Sequence, residues 1–276
     1  MINILLASLF LPLSHFLMSS APLRAPLVHR LGEKLFLLAY SVVALLALAW
    51  LIVAYRQAPT IVLWVAPAWM SAALLPVVLL AVVLVVAGLT TPNPVIVSSE
   101  SLFERANIVQ GVLRVTRNAF FWGTGLFAVA HVILTGHVSG VLAFGSVAVL
   151  GLAGARILDA KKARRHGEAW AAFARETSNV PFLAIAQGRQ RFAWREIGLW
   201  RLALGIGLFL AALLIALSSA DQKLTEIRPS QARSASMIAK YAVVIRRSMA
   251  SAGGSPAAMA RRTAAKGTSS TANMAA

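Results

Sequence analysis

The sequence predicts an all-α fold: a polytopic membrane helix bundle with about six transmembrane helices and a disordered basic C-terminal tail. Of the 276 residues, 59% are hydrophobic and 13% are charged, whereas soluble domains contain roughly 45–50% apolar and about 25% charged residues. The apolar residues form continuous runs of about 20, which is the length that crosses a hydrocarbon core. Loops, most of which carry basic residues, separate these runs.

Six apolar runs are the predicted spans. In chain order they cover residues 2–18, 35–55, 70–90, 119–135, 138–158 and 196–219. The first run has no Lys or Arg before it and three basic residues after it, which predicts a retained helix and not a cleaved signal peptide. Residues 61–69, which contain Trp64 and Trp69, are predicted to form an interfacial aromatic segment before the third span.

Loop charge predicts the orientation, because cytoplasmic loops carry an excess of Lys and Arg. The second and fourth loops contain only Arg56, whereas the first, third and fifth are basic. Their basic residues are Arg24, Arg30, Lys34, Arg105, Arg114, Arg117, Lys161, Lys162, Arg164, Arg165, Arg175, Arg189, Arg191 and Arg195. The N-terminus is therefore predicted to lie outside. Six spans would place the basic tail outside too, against the same rule, and that conflict stays open.

Two domains are predicted, a transmembrane domain over residues 1–219 and a low-complexity basic tail over residues 220–276. The tail is rich in Ala, Ser, Thr and Arg and has too little apolar surface to offset the entropy of ordering. The formal net charge of +17 is interpreted as a membrane-surface feature and not as a nucleic-acid interface, because basic loops beside apolar helices are expected at an anionic membrane surface and no stretch interleaves basic and aromatic residues on a soluble platform. The lack of cysteine excludes disulfides, iron–sulfur clusters and thiol catalysis.

Two histidines dominate the polar residues of the spans, His15 near the end of the first and His131 in the fourth. Ionisable groups are costly in membrane helices, so each is a functional candidate. Neutral imidazole ligates iron, and two such histidines on different helices would suit a b-type haem. Alternatively, each ring bonds a neighbouring carbonyl or hydroxyl group and only holds helices together. If the two spans run in opposite directions, the histidines lie about 10–15 Å apart in depth, too far for one iron unless helices are shorter or tilted.

The remaining histidines, His29, His137 and His166, are predicted to be solvated or interfacial. Arg114 and Arg117 precede the fourth span and are predicted to contact lipid headgroups, or a haem propionate if haem is bound.

The fifth loop predicts an amphipathic helix on the inner membrane surface. Trp170 and Phe173 occur at helical spacing beside a basic face, and the turn at residues 178–181 ends the segment. A solvated charged loop is the alternative.

Several short motifs, in the same order along residues 1–219, resemble the NnrU family of bacterial inner-membrane proteins. They are Ser14-His15, Arg30-Leu-Gly-Glu-Lys34, Tyr40-Ser41, Gly111-Val-Leu-Arg-Val-Thr-Arg117 followed by Phe-Phe-Trp-Gly123, Ala130-His131, Gly167-Glu-Ala-Trp170 and Thr177-Ser-Asn-Val-Pro-Phe182. The resemblance implies a link to nitrite and nitric oxide metabolism in denitrifying bacteria. It also implies homology to the zeta-carotene isomerase of plants and cyanobacteria, which uses a haem b held by two histidines. By motif, the two ligands correspond to His15 and His131.

The chain departs from the family pattern at two places. Arg117-Asn118-Ala119 stands where the family usually has Arg-His-Pro, and the isomerase's cysteine is missing near Ala128. No catalytic residue is assigned, and enzymatic activity stays open. Three hypotheses follow: a haem b protein of nitrite and nitric oxide metabolism that acts as a redox or gas-responsive component, a haem-dependent cis–trans isomerase of a polyene, and a non-catalytic membrane scaffold or assembly factor. The implied partners are the lipid bilayer, a lipid-soluble substrate or gas ligand, and a membrane redox partner.

Overall fold

The computed structural model describes residues 1–96, 100–104 and 107–226. Most of the predicted tail, from residue 227 onward, lies outside the described residues. The described chain forms one 3-10 helix, Glu100–Glu104, and ten α-helices. The α-helices are α1 (Ile2–Ser19), α2 (Ala21–Leu31), α3 (Glu33–Gln57), α4 (Ala68–Thr90), α5 (Val112–Val115), α6 (Ala119–Thr135), α7 (Val138–Glu176), α8 (Leu183–Ala186), α9 (Trp194–Ile197) and α10 (Leu199–Glu226).

The predicted helical membrane bundle is confirmed. Within the described residues, five helices are long and apolar enough to cross a bilayer, namely α1, α3, α4, α7 and the stretch Leu199–Ser219 of α10. Helix α6 is apolar but has 17 residues, about 25 Å at 1.5 Å per residue, slightly under the 30 Å hydrocarbon core. These six helices correspond to the six predicted runs. Helix α7 continues far beyond its predicted end, with non-helical backbone at Gly167.

Helix α1 packs against α3 and α7, and α6 packs against α4 and α7. Ile4, Ala7 and Leu11 of α1 join Leu51 of α3 and Ala143 of α7 in one buried cluster. Since the first half of α1 meets the start of α7, and the Ser19 carbonyl at the end of α1 accepts a hydrogen bond from Lys161, α1 and α7 run parallel.

Helices α6 and α7 approach closely where glycine removes the side chain. A Cβ at Gly151 would lie 2.8 Å from the Phe121 carbonyl oxygen and 2.9 Å from the Gly125 amide nitrogen. Small residues permit this kind of backbone contact in membranes. The contact fixes the position of α6 against α7.

The connection between α3 and α4 crosses the turn between α6 and α7. The amides of Leu63 and Trp64 both donate to the Gly136 carbonyl, and the Val138 amide donates to the Ile61 carbonyl, at 2.8–3.0 Å. Gly136 has φ of +62°, and a Cβ there would clash with the Trp64 carbonyl oxygen. The predicted aromatic segment at 61–69 is thus bonded to the protein along its backbone, while the Trp64 and Trp69 side chains are exposed.

The predicted amphipathic helix is the last part of α7, but the bilayer does not cover its apolar face. Trp170 and Phe173 are buried in a cluster with Val95, Val109 and Leu113. The pattern of Trp170 and Phe173 predicted the helix correctly and its partner incorrectly, because a helix face that packs on protein has the same periodicity as one that lies on lipid.

By internal contacts the chain divides into two units, Met1–Ala212 and Leu213–Ala276. The first unit contains the three buried apolar clusters. In the second unit, the described part is the end of α10.

Candidate functional site

His15 lies near the end of α1. Its Nδ1 atom is 2.8 Å from the Leu11 carbonyl oxygen one turn earlier. Its ring meets the Tyr40 ring edge to face, with centroids 5.5 Å apart.

His131 lies in the last third of α6 and makes the same local contact. Its Nδ1 atom is 2.7 Å from the Phe127 carbonyl oxygen. The ring is 4.0 Å from the Phe127 ring and 4.9 Å from the Phe144 ring of α7, centroid to centroid. His131 is therefore surrounded by aromatic side chains.

Both histidines can offer the same nitrogen to a ligand. A carbonyl oxygen only accepts, so the Nδ1 atom that contacts it must carry the proton. In a neutral imidazole, the Nε2 atom then holds the lone pair. This is the arrangement found in metal-binding histidines, where a hydrogen bond from one ring nitrogen orients the other toward the metal.

The structure does not bring His15 and His131 together. Ser19, one turn beyond His15, contacts Lys161 of α7, whereas His131 contacts Phe144 of the same helix. Phe144 and Lys161 are about 26 Å apart along α7 at 1.5 Å per residue. The turn of α1 between His15 and Ser19 and the length of the Lys161 side chain both shorten this distance, so the two histidines lie about 15–20 Å apart in depth. This difference in depth is larger than the separation of about 10–15 Å expected from opposite helix directions, and in this packing the two rings do not fit as ligands of one iron.

We call the two ends of the bundle the Gly136 end and the Asp159 end. The Gly136 end contains the start of α1, the end of α3 and the α6–α7 turn. The Asp159 end contains the end of α1, the start of α6 and Asp159 of α7. His131 is nearer the first and His15 nearer the second.

A buried polar network occupies the Asp159 end. The Asp159 carboxylate accepts hydrogen bonds from Arg117 at 2.6 Å, Asn118 at 2.7 Å and Asn179 at 2.7 Å. Asn179 in turn accepts from the Trp122 indole at 2.8 Å. The network joins the start of α6, the middle of α7 and the turn after α7.

Arg117 therefore contacts a protein carboxylate and not a headgroup. Its side chain is 12% exposed and that of Asp159 is 15% exposed, and its guanidinium also lies over the Trp170 ring at 5.2 Å. The Asn118 side chain donates to Asp159, while its oxygen is buried without a hydrogen-bond partner in the described part of the chain.

Arg114 is also paired internally. It donates to both oxygens of Glu196, at 2.7 and 3.2 Å, and to the side-chain oxygen of Gln190. The hydrogen bond from Arg114 is the main cause that lowers the pKa of Glu196, and a further bond from the Gly111 amide acts in the same direction. The predicted headgroup or propionate contacts of Arg114 and Arg117 are thus wrong for this packing.

Sequence reasoning missed Asp159 and Glu196 as partners of these arginines, and Asn179 as a further donor to Asp159. Two features of the sequence could have indicated this polar network. Asp159 is an acidic residue directly after a predicted span, and Asn179 lies in the turn motif of residues 177–182. The pairing depends on residues 20 to 82 positions apart, which periodicity cannot reveal.

The other histidines have distinct surroundings. His29 is exposed, as predicted. His137 caps α7, since its Nδ1 atom accepts from the Gly140 amide at 3.0 Å; its ring stacks on Tyr55 at 6.0 Å. Burial lowers the pKa of His137. The His166 ring lies beside Phe103 at 5.1 Å. Within the described ranges, no group of three or more His, Cys, Asp or Glu residues could hold a metal ion.

A family model described as "NnrU protein" matches residues 3–219, which is most of the chain and includes both intramembrane histidines and the polar network. No curated protein and no solved structure matches the sequence.

Proposed function

Because this chain belongs to the NnrU family, we propose that it is an integral protein of the bacterial inner membrane that binds haem b. The proposed role is in nitrite and nitric oxide metabolism, as a redox or gas-responsive component. The observation that carries the proposal is the pair of intramembrane histidines whose Nδ1 atoms are occupied by carbonyl groups, which leaves each Nε2 atom for iron.

His131 is the residue that would hold the haem iron. Two aromatic rings, those of Phe127 and Phe144, flank its imidazole. When bound, the haem would supply one-electron chemistry and a coordination position for a gas. His15 has the same available nitrogen but lies at a different depth, so it does not reach that iron in this packing.

An optical spectrum of the protein purified in mild detergent tests this proposal. The oxidised and dithionite-reduced wild type should show a Soret band that His131→Ala abolishes, whereas the exposed-histidine control His29→Ala should leave it unchanged. Partial loss in His15→Ala would support a second iron. If the wild type holds one haem per chain and both His15→Ala and His131→Ala lose it, the two histidines bind the same iron and the helices must shift on binding. A colourless wild type despite ample haem supply would overturn the proposal.

The surroundings of Asn118 favour a structural role over isomerase chemistry. Asn118 occupies the place of the family's usual histidine, donates to Asp159 and lies at the opposite end of α6 from His131. Incubation of the membranes with a poly-cis carotene under reducing conditions should therefore give no change in isomer composition.

A further inference from the structure

An apolar cleft of about 480 Å³ lies inside the first unit. Five helices line it. The lining residues are Leu48, Leu51, Ile52 and Tyr55 of α3, Ala81, Val82, Val85 and Val86 of α4, Thr124 and Phe127 of α6, Ala143, Phe144 and Val147 of α7, and Leu208 of α10. Its volume is in the range of pockets that hold small ligands.

The packing of the helices creates this cleft. Helix α3 packs on α1 and α7, while α4 packs on α6, so the cleft lies between these two sets. The hydrogen bonds of residues 61–64 to the α6–α7 turn hold the α3–α4 connection in place at the Gly136 end.

The cleft opens toward the bilayer. Its floor is buried, as Leu51, Ala81 and Ala143 show. At its edge, Ile52 of α3 is 50% exposed and Leu208 of α10 is 48% exposed. Both are large aliphatic residues on membrane-spanning helices, so a hydrocarbon chain can enter sideways from the lipid.

The chemistry of the walls limits the occupant. Apart from Tyr55 and Thr124, all lining residues are hydrocarbon. A charged or strongly polar group would lose its hydration there without replacement. The buried part of the ligand must therefore be apolar.

Arg56 lies at the end of a line of cleft residues on α3. Leu48, Ile52 and Arg56 follow each other at intervals of four residues on α3, so they share one side of the helix. Arg56 is exposed, and among the described residues it makes no ion pair. It is also the single basic residue of the two loops predicted to lie outside. A guanidinium at this level suits a lipid phosphate.

We infer that the cleft binds a phospholipid, with one acyl chain between α3 and α4 and the phosphate beside Arg56. Tyr55 lies at the same end, where tyrosine commonly meets the headgroup region. This inference uses neither His15 nor His131, but Phe127 and Phe144 of the cleft wall also flank His131, so a phospholipid in the cleft and a haem on His131 would be neighbours.

The test counts phospholipid molecules that remain on the purified full chain after extensive detergent washing, by native mass spectrometry and by phosphorus assay. About one phospholipid per chain is expected in the wild type. Val147→Phe fills the cleft and should reduce this number at least fivefold. Val149→Phe makes the same change two residues away, at an exposed position of α7, and should have no effect.

Two further variants keep the inference testable. Val82→Phe fills the cleft from α4 and should act like Val147→Phe even if that variant folds poorly. Arg56→Gln should weaken retention of phosphatidylglycerol about tenfold, whereas Arg195→Gln, an exposed arginine before α10, should not.

Other outcomes would overturn the inference. Unchanged phospholipid in both cleft-filling variants would mean that the lipid binds elsewhere. Recovery of a phosphorus-free hydrocarbon such as a polyene, sensitive to Val147→Phe and insensitive to Arg56→Gln, would assign the cleft to a different ligand. Haem absorption measured in the same samples reports on the proposed function separately.

Discussion

Asp159 and Arg117 illustrate what burial does to an ion pair in this protein. Their side chains are 15% and 12% exposed, and Asn118 and Asn179 supply the remaining donors to the carboxylate. A buried pair adds little net stability over apolar residues, but removal of one partner leaves the other charge uncompensated.

Asp159→Asn should therefore lower the free energy of unfolding by about 3–5 kcal/mol. Glu168 pairs with Arg175 on the surface, with side chains 82% and 66% exposed, so Glu168→Gln should change it by about 0–1 kcal/mol. Denaturant unfolding of both variants in detergent measures the difference. Equal losses would contradict a structural role for the Asp159 network.

Glu196 should make stability depend on acidic pH. Its folded-state pKa is held below the ordinary value of 4.5 by the Arg114 hydrogen bond. Stability from this group is therefore complete above pH 4.5 and is lost as the pH falls through the folded-state pKa. Glu196→Gln should cost about 1–3 kcal/mol at neutral pH and should reduce the acid-induced loss below pH 4.5. Melting temperatures measured from pH 3 to 7 test both effects.

At the scale of the helix, the N-terminus of α7 depends on the protonation of His137. Burial lowers its pKa below 6.5, and the neutral ring accepts the hydrogen bond from the Gly140 amide. Because the unfolded chain binds the proton more tightly, this contribution is complete above pH 6.5 and is lost as the pH falls through the folded-state pKa.

His137→Asn should remove this dependence while it keeps the cap, because asparagine caps helices and does not titrate. The melting temperature of wild type should fall more than that of the variant between pH 7 and 5. Parallel curves would show that His137 does not titrate in this range.

The contact between α6 and α7 depends on a missing side chain. Gly151→Ala would place a Cβ against backbone atoms of Phe121 and Gly125, so the helices must separate and we expect destabilisation of about 1–3 kcal/mol. Gly145→Ala, on the same helix with no atom within 4 Å of the added Cβ, should be neutral or stabilising by up to about 1 kcal/mol. Thermal unfolding of the pair of variants tests this assignment.

The sequence predicted the helices better than their partners. Apolar runs found α1, α3, α4, α6 and α10, because lipid exposure makes a span hydrophobic on nearly every side. The extension of α7 to Glu176 was predicted only as a separate helix, since its basic residues end the apolar run. Leu113 and Val95 pack on Trp170 and Phe173 of this extension, and that contact depends on tertiary structure, which the local pattern does not show.

The candidate site was predicted in part. His15 and His131 stand out because histidine is rare in a span, and their difference in depth followed from helix direction alone. The available Nε2 atoms required the structure, because the Leu11 and Phe127 carbonyl contacts depend on rotamers. Whether iron binds there stays a prediction.

At the scale of the whole molecule, orientation is the prediction to test. The chain has no cysteine, so single introduced cysteines can be labelled without background. Arg56→Cys should react with a membrane-impermeant maleimide added outside intact cells, and Arg164→Cys should react only after the cells are opened. The reverse pattern would invert the predicted topology.

The backbone hydrogen bonds between residues 61–64 and the α6–α7 turn should protect the amides of an exposed connection as hydrogen bonds protect those of a helix or sheet. The amide protons of Leu63, Trp64 and Val138 are all engaged across this crossing, so they can exchange with deuterium only when the two segments part. They should exchange slowly and at a common rate, as one cooperative opening unit. A protease should likewise spare this stretch, although the side chains around it face outward.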